Sequence, residues 1–567
     1  MMRKLLPILF LWLIGAAVHS QTTDSLAVAP RQVLLKNEGA LLPFQHLDSL
    51  WIQYPGEPML SRLGARYSEL HGPQQVVVEV VHEGRPSGRG QVLVLAGDSL
   101  EVDSLPLTGY RAVIYMSSYD SLQADLLTQR LFGARPFTDT LAVARYGYPV
   151  GYGLFTPGGW RLAFGRPAEV GLDSAYLYHK IDSIATYAID TGVAPGIQVL
   201  VAKDGMVVLH KTYGFTRYDS LQPVRKDMLY DFASVTKVTG PLPALMKLYD
   251  ENKFSLDATM GTYLPYFAHG NKKNLRYRNI LSHNARLKSW IAYYTTAYKK
   301  NGKFKPKTMS HDSSANYPVR LTDNLYLHKD YKKKIYKMIR KSPLNEEPGY
   351  VYSGLSFYLY PEIIAKLAGQ DYETYLKETF YRPLGAATLT FNPMRFYPRD
   401  RMIPTEVDTF FRMTPLQGVV HDEGAAMMGG VSGNAGLFGT TLDLAKLFQM
   451  YLWRGRYGNR QYISRNTMEL FTIRHYQPEG NRRGLGFDKP VLVDNNDRYT
   501  ALDASDHSFG HSGYTGTFAW ADPDTGILFI FMSNRVYPTR LNRKLYELNV
   551  RPAMHQAIYD ARIKTEE

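Results

Sequence analysis

Ser234-Val235-Thr236-Lys237 is the only Ser-x-x-Lys in this chain of 567 residues, and it sets a hydroxyl beside an amine. On a helix start, residues three apart share a face, so the Lys237 amine can reach the Ser234 hydroxyl. A hydroxyl is a poor nucleophile at neutral pH and needs a neighbouring base. A lysine whose pKa is lowered by burial and positive neighbours can serve as one. The rival reading is an exposed serine at a helix cap. Thiol chemistry is excluded because the chain has no cysteine, and disulfide frameworks and thiolate metal clusters go with it. No metal spacing is present either: there is no His-Glu-x-x-His, and His507 and His511 stand four apart without further ligands. This chemistry calls for no cofactor and no metal.

The surrounding elements must hold that pair in place. Asp231-Phe232-Ala233 leads in, and a helix-like run follows through Leu245, Met246 and Leu248. Gly240-Pro241-Leu242-Pro243 interrupts the run. Prolines lack N–H donors and crowd the preceding turn, so a kink is expected one to two turns beyond Ser234. Upstream, Leu172-Asp173-Ser174 is a capping signal for a helix with Leu177, Ile181, Ile184 and Ile189 as its buried stripe, ended by Gly192. Segments 196–202 and 206–213 flank Asp204-Gly205, a two-residue hairpin turn. A second hairpin joins 517–521 to 527–532, and a terminal helix is expected from about Leu541. Strands at both ends with helices between predict one antiparallel sheet flanked by helices, with a helical lobe inserted, an α+β plan of about 390 residues. Before it, 31–167 reads as a small α/β unit. Segments 75–81, 90–95 and 110–116 are strand-like, and 120–131 has helical spacing at Leu122, Leu126 and Leu127.

The composition is globular, 45% apolar and 21% charged. The net charge of +14 is uneven: 271–341 carries 19 Lys and Arg against 3 Asp and Glu, or +16, leaving −2 for the rest. The plain reading is a solvated insertion. The sharper one is attraction for an anionic partner, such as a cell-envelope component. Residues 1–20 read as a signal peptide, with Arg3 and Lys4, an apolar run over 5–18, and Val18-His19-Ser20 before Gln21 as the cleavage site. No later stretch approaches the roughly 20 apolar residues of a membrane helix. The expectation is a soluble periplasmic or secreted protein with no transmembrane segment. Export also argues against nucleic acid as a partner.

Several motifs then occur in order. Phe232-Ala233-Ser234-Val235-Thr236-Lys237, Lys253-Phe254-Ser255-Leu256-Asp257 and Tyr263-Leu264-Pro265 resemble the serine β-lactamase-like superfamily, in the branch of class C β-lactamases, related esterases and D-amino-acid-specific peptidases. Ile280-Leu281-Ser282-His283, Pro348-Gly349-Tyr350-Val351-Tyr352-Ser353, the block from Val420-His421-Asp422-Glu423 through Gly429 to Phe438, and Gly510-His511-Ser512-Gly513-Tyr514-Thr515-Gly516 extend the resemblance over about 171–551. It implies a β-lactamase/transpeptidase-like fold with Ser234 as the acylated nucleophile and Lys237 as its activator. Tyr352 would shuttle protons. His511 would stand where the family's Lys-Thr-Gly motif has lysine. The backbone N–H groups of Ser234 and Tyr514 would form the oxyanion hole. Ser512 and Gly513 would line the substrate, with Gly513 leaving room for it.

The chain also departs from the pattern. No Lys-Thr-Gly exists, and the second motif runs Tyr352-Ser353-Gly354 where β-lactamases have Asn at the third place. Both changes count against a true β-lactamase. Thr322-Asp323-Asn324 resembles a class A motif but lies far past the expected spacing. His283, His421 and Asn434 read as packing or loop-bracing residues. Segments 32–44 and 131–141 resemble the C-terminal α/β sandwich domain of family-3 glycoside hydrolases, with no catalytic barrel before them. The resulting division is 1–20 signal peptide, 29–167 sandwich-like module and 171–563 hydrolase domain. The expected function is an exported serine hydrolase acting through an acyl-serine on esters or D-amino-acid amides of small-molecule or peptide substrates. The alternatives are a true β-lactamase and a catalytically degenerate cell-wall or glycan-binding protein.

Overall fold

The computed structural model describes residues 31–97, 107–492 and 498–563, so the signal-peptide expectation for 1–20 lies outside the described residues. Five strands open the chain: β1 (Gln32–Asn37), β2 (Leu50–Gln53), β3 (Gln74–Val81), β4 (Val92–Ala96) and β5 (Ala112–Met116). They form one sheet ordered β1-β5-β4-β3-β2, parallel except where β1 meets β5. β4 and β5 are buried along their whole length, as parallel strands covered on both faces must be. The helix Ser121–Leu131 covers this sheet with Ala124, Leu127 and Leu131, whereas Leu122 is 77% exposed. The stripe differs from the expected one because Asp120 caps the helix, its side chain accepting from the Gln123 amide, and so sets the phase.

A second sheet carries the hydrolase motifs. Its six strands run Phe509–Ser512, Phe518–Asp522, Ile527–Ser533, β7 (Gly196–Lys203), β8 (Met206–Gly214) and the short β6 (Ala163–Phe164). All neighbours are antiparallel except β6 on β8. Asp204 and Gly205 both take positive φ, 51° and 79°, which is the hairpin turn their pairing in sequence predicts. Alternation along β7 separates two cores. Leu200 and Ala202 face the helical lobe, while Val199 and Val201 face the helices Ser174–Asp190 and Val550–Asp560. The first of these helices buries Leu177, Ile181, Ala185 and Ala188, so Ile184 and Ile189 sit at the edge of the stripe. The terminal helix starts later than expected, at Val550 after a short Lys544–Glu547 turn, and Leu541 is 82% exposed. The result is an α+β, β-lactamase/transpeptidase-like fold preceded by a smaller α/β unit.

Arg161 braces the amino-terminal unit where it meets the second part. Its side chain is buried and donates to the Phe44 and Phe132 carbonyls, both at 2.7 Å, while the neighbouring Trp160 carbonyl accepts from Gly458 N–H at 2.6 Å. Charged donors to buried carbonyls contribute more than neutral ones. Arg161→Met should therefore lower the unfolding free energy by about 2–3 kcal/mol. Urea unfolding of the full chain measures this.

Candidate active site

The site is built on a strained turn. Strand Tyr230–Asp231 ends at Phe232, Ala233 adopts a left-handed φ of 45°, and a 3-10 turn Ala233–Val235 runs into the helix Thr236–Thr239. A residue with a β-carbon is held there only if its surroundings over-determine it. They do. The buried Asp231 carboxylate accepts from Ala233 N–H at 2.8 Å and His421 N–H at 2.6 Å. Thr515 Oγ1 donates to the Asp231 carbonyl at 2.8 Å, and Thr517 Oγ1 donates to the Phe232 carbonyl at 2.9 Å. Burial raises the Asp231 pKa, against the pull of its two amide donors. Beyond Lys237 the helix breaks outright at Gly240 and restarts as Pro241–Asp250. Pro241 opens this second helix, where no N–H partner is required, so the expected kink is a clean restart.

Ser234 Oγ lies 3.0 Å from Lys237 Nζ and 3.1 Å from the Tyr352 hydroxyl. Lys237 also donates to the Asn434 carbonyl at 2.8 Å. Asn434 is fixed in turn by bonds from its Nδ2 to Tyr358 and Asp422 and from Ser432 Oγ to its Oδ1. It braces its loop, as its sequence context suggested, and its main chain also touches the lysine, which the sequence did not signal. A β-carbon built at Gly354 would meet only the Asn434 Cβ, at 4.0 Å, so the missing Asn of the second motif is not forced by crowding.

The expected oxyanion amides, Ser234 N–H and Tyr514 N–H, come from the two segments that Thr515 and Thr517 tie together. Neither donates to a protein acceptor among the described residues. Gly513 is needed for a different reason from the one expected. A Cβ there would lie 2.1 Å from Thr517 Oγ1 and 2.4 Å from the Phe232 carbonyl, so the side chain would collide with the protein's own turn and not with a substrate. Ser512 is half-buried on the edge strand opposite Phe518. The Tyr514 ring is 48% exposed and stacks on His421 at 5.7 Å. His421 contacts Glu406 at 2.9 Å, and Arg540 bridges Glu406 and Glu423. Burial pushes Glu406 up, but Arg540 and His421 outweigh it and hold its carboxyl down to about 2.

His511 does not take over a lysine's charge. Its Nδ1–H donates to the Ser512 carbonyl at 2.7 Å, so Nε2 accepts from Arg483 at 3.2 Å, and the ring is the neutral tautomer. Burial, reinforced by Arg483, pulls its pKa down to about 3. His283 is pulled the same way for the same reasons, and its Nδ1 accepts from Ser353 N–H at 3.1 Å. The positive charge behind the tyrosine belongs to Arg483, whose guanidinium lies 5.5 Å from the Tyr352 ring centre and 3.0 Å from Asp488. Arg482 holds Asp488 as well, and the two arginines outweigh burial to keep that carboxyl far below its usual range. Sequence reasoning missed Arg483 and Asp488, although two adjacent arginines inside Asn481–Asp488 were a usable signal. Thr322-Asp323-Asn324 is the turn of a surface hairpin, with Asp323 paired to Arg399 at 2.8 Å.

A model of the family described as Beta-lactamase matches residues 181–551. The chain belongs to the Beta-lactamase family. A Salmonella enteritidis relative named "Putative D-alanyl-D-alanine carboxypeptidase" is 31% identical over 411 residues, 68% of this chain and 88% of its own length. A Salmonella typhi relative of the same name matches equally. Solved structures to which the chain is similar include EstCE1, a hydrolase with promiscuous acyltransferase activity (19% identity, 67% and 99% coverage, TM-score 0.48), and D-amino acid amidase from Ochrobactrum anthropi SV3 (17%, 68% and 99%, 0.47). This member of the Beta-lactamase family is a serine hydrolase.

Its buried histidines give a pH signature. The folded His511 takes up a proton only near pH 3, whereas the unfolded chain takes one up near 6.5. The contribution is complete above pH 6.5 and is lost as pH falls towards 3. Between pH 6.5 and 5 unfolding free energy should therefore fall by roughly 1 kcal/mol per pH unit for each such histidine. Denaturant unfolding at pH 5, 6 and 7 should show that slope, and His511→Asn should reduce it by one histidine's share.

Proposed function

We propose that this protein is an exported hydrolase that acylates and deacylates Ser234 on esters or on amides of D-amino acids, with peptidoglycan-derived peptides as the substrate class. The observation that carries this reading is the shared position of Ser234 Oγ between Lys237 Nζ and the Tyr352 hydroxyl. Oγ attacks the substrate carbonyl carbon, and its proton passes to the Lys237–Tyr352 pair. The negative oxygen is received by the Ser234 and Tyr514 amides. The pair then returns the proton to the leaving oxygen or nitrogen, which departs. Water attacks the acyl-serine, gives one proton back through the same pair, and frees Ser234. His511 acts as a neutral hydrogen-bonded spacer between Arg483 and the edge strand, and Ser512 and Gly513 flank the incoming chain. The relatives' D-alanyl-D-alanine carboxypeptidase name supports the D-amino-acid class.

The division into 1–20 signal peptide, 29–167 module and 171–563 hydrolase belongs to the same proposal, as does periplasmic or secreted localisation. So does the kinship of the module to the family-3 C-terminal sandwich. A glycosidase needs two carboxyls about 5–10 Å apart across one sugar. In the module Glu79 is instead bound structurally, accepting from Tyr110 at 2.7 Å and from the Ser87 amide. The module is a scaffold for the hydrolase.

Ser234→Ala should abolish acylation, a loss of many decades in rate, without loss of fold, because it removes a hydroxyl and no packing volume. Mass spectrometry after exposure to p-nitrophenyl esters, D-Ala-D-Ala peptides and nitrocefin reads the adduct. With no Asn at 354 and a neutral His511, kcat/KM for esters should exceed that for nitrocefin by at least about tenfold, one lost polar contact being worth about 1–3 kcal/mol. Wild-type ester hydrolysis by the alanine variant would refute the nucleophile.

A further inference from the structure

The basic segment is not spread evenly over the surface. In the helix Tyr331–Lys341, Tyr331, Ile335, Tyr336 and Ile339 are buried in the lobe. Lys333, Lys337 and Lys341, spaced by four, form one exposed row on the other side. Lys334 and Met338 run beside that row, and with Ile291 and Ser342 they complete an open groove of about 810 Å³. The apolar Ile291 and Met338 line it together with four lysines. Lys333 shares Asp330 at 2.8 Å, and Lys334 donates to the Thr296 carbonyl at 3.2 Å. Among the described residues Lys337 and Lys341 enter no ion pair. The carbonyls that end the helix are themselves answered by a lysine, since the buried Lys272 donates to those of Arg340 and Ser342. No negative helix end therefore remains in the groove.

An exposed indole stands one residue before the groove's Ile291: Trp290 is 59% exposed. Its loop is fastened to the catalytic tyrosine's own turn: Ser353 Oγ donates to the Lys288 carbonyl at 2.6 Å, and Gly354 N–H donates to the Ser289 carbonyl at 3.2 Å. On the same loop Tyr294 meets Phe410, 40% exposed, edge to face at 5.5 Å.

We infer that this face docks on a lipid bilayer carrying anionic headgroups, with the lysine row on lipid phosphates and Trp290, Ile291 and Met338 in the interfacial layer. A soluble polyanion is held by charge alone. Here the lysines line one groove with the apolar Ile291 and Met338, and an exposed tryptophan adjoins Ile291 in the chain; a bilayer interface offers anionic groups and hydrocarbon side by side to such a surface. Because the Trp290 loop is bound to the Tyr352 turn, docking brings the Ser234 cleft close to the membrane surface. The inference is independent of the acyl-transfer reading, since it concerns residues that do not touch Ser234.

The test is co-sedimentation of the full chain with phosphatidylcholine vesicles, with and without phosphatidylglycerol, at low and high salt. Binding is expected only with phosphatidylglycerol and should weaken as salt rises. The variant Lys333→Glu/Lys337→Glu/Lys341→Glu should lose at least about tenfold in vesicle affinity while hydrolysing a soluble p-nitrophenyl ester as wild type does. Trp290→Ala should weaken binding and abolish the blue shift of tryptophan emission on vesicle addition. No binding, equal binding to phosphatidylcholine alone, or unchanged binding by the triple variant would overturn the inference. Retention on a soluble polyphosphate without vesicle binding would assign the face to a polymer and overturn it too.

Discussion

The left-handed backbone at Ala233 is the constraint on which the active site depends. A β-carbon in that region costs roughly 1–2 kcal/mol, and the turn exists only because three separate segments hold it. Asp231 receives two amides, one from Ala233 itself and one from His421. Thr515 and Thr517 bind the two carbonyls on either side of the turn's entry. The same bonds that stabilise the strain also dock the edge strand against Ser234. Position of the nucleophile and position of the second oxyanion amide are thus one structural fact. Gly513 follows from this closeness, because any side chain there would strike Phe232 and Thr517.

Charge in the site is arranged in depth. At the front, a lysine amine and a phenol share one hydroxyl. Behind the phenol stand two neutral imidazoles, and behind those Arg483, Arg482 and Asp488 form a buried pair-and-a-half of charges. A buried charge is costly unless it is paired and hydrogen-bonded, and Asp488 pairs Arg483 at 3.0 Å. Burial, with the Arg483 guanidinium behind the ring, keeps His511 neutral. Its Nδ1–H on Ser512 and its Nε2 facing Arg483 then fix both the tautomer and the edge strand. A lysine in the same place would have put a second positive charge against the Arg483 guanidinium.

The rest of the molecule shows a similar division of labour. The amino-terminal unit adds β6 to the edge of the catalytic sheet and joins the second part through the bond from Gly458 N–H to the Trp160 carbonyl. The basic segment builds the opposite wall of the lobe, where apolar residues of Tyr331–Lys341 face inward and lysines face out. The surplus of charge is confined to 271–341, and the remainder of the chain is nearly neutral.

Much of this was legible in the residues alone. The Asp204-Gly205 hairpin, the capped helix after Asp173 and the helix restart after Gly240 follow from local chemistry: turn residues, a capping carboxylate and prolines without N–H groups. The Ser-x-x-Lys spacing is likewise local, and so is the meeting of Ser234 with Lys237. The contacts that complete the site are not. Tyr352 reaches Ser234 across 118 positions and the Asn434 carbonyl reaches Lys237 across 197. Arg483 approaches His511 from 28 positions away. Every residue has a carbonyl, so no side-chain pattern could single out that of Asn434. Whether a histidine is charged depends on burial and on which cation lies behind it, and those are properties of packing. The sequence by itself determined which groups could react. Only the tertiary structure decided which of them are charged, because it alone brings Arg483, Asp488 and the two imidazoles into one dry layer.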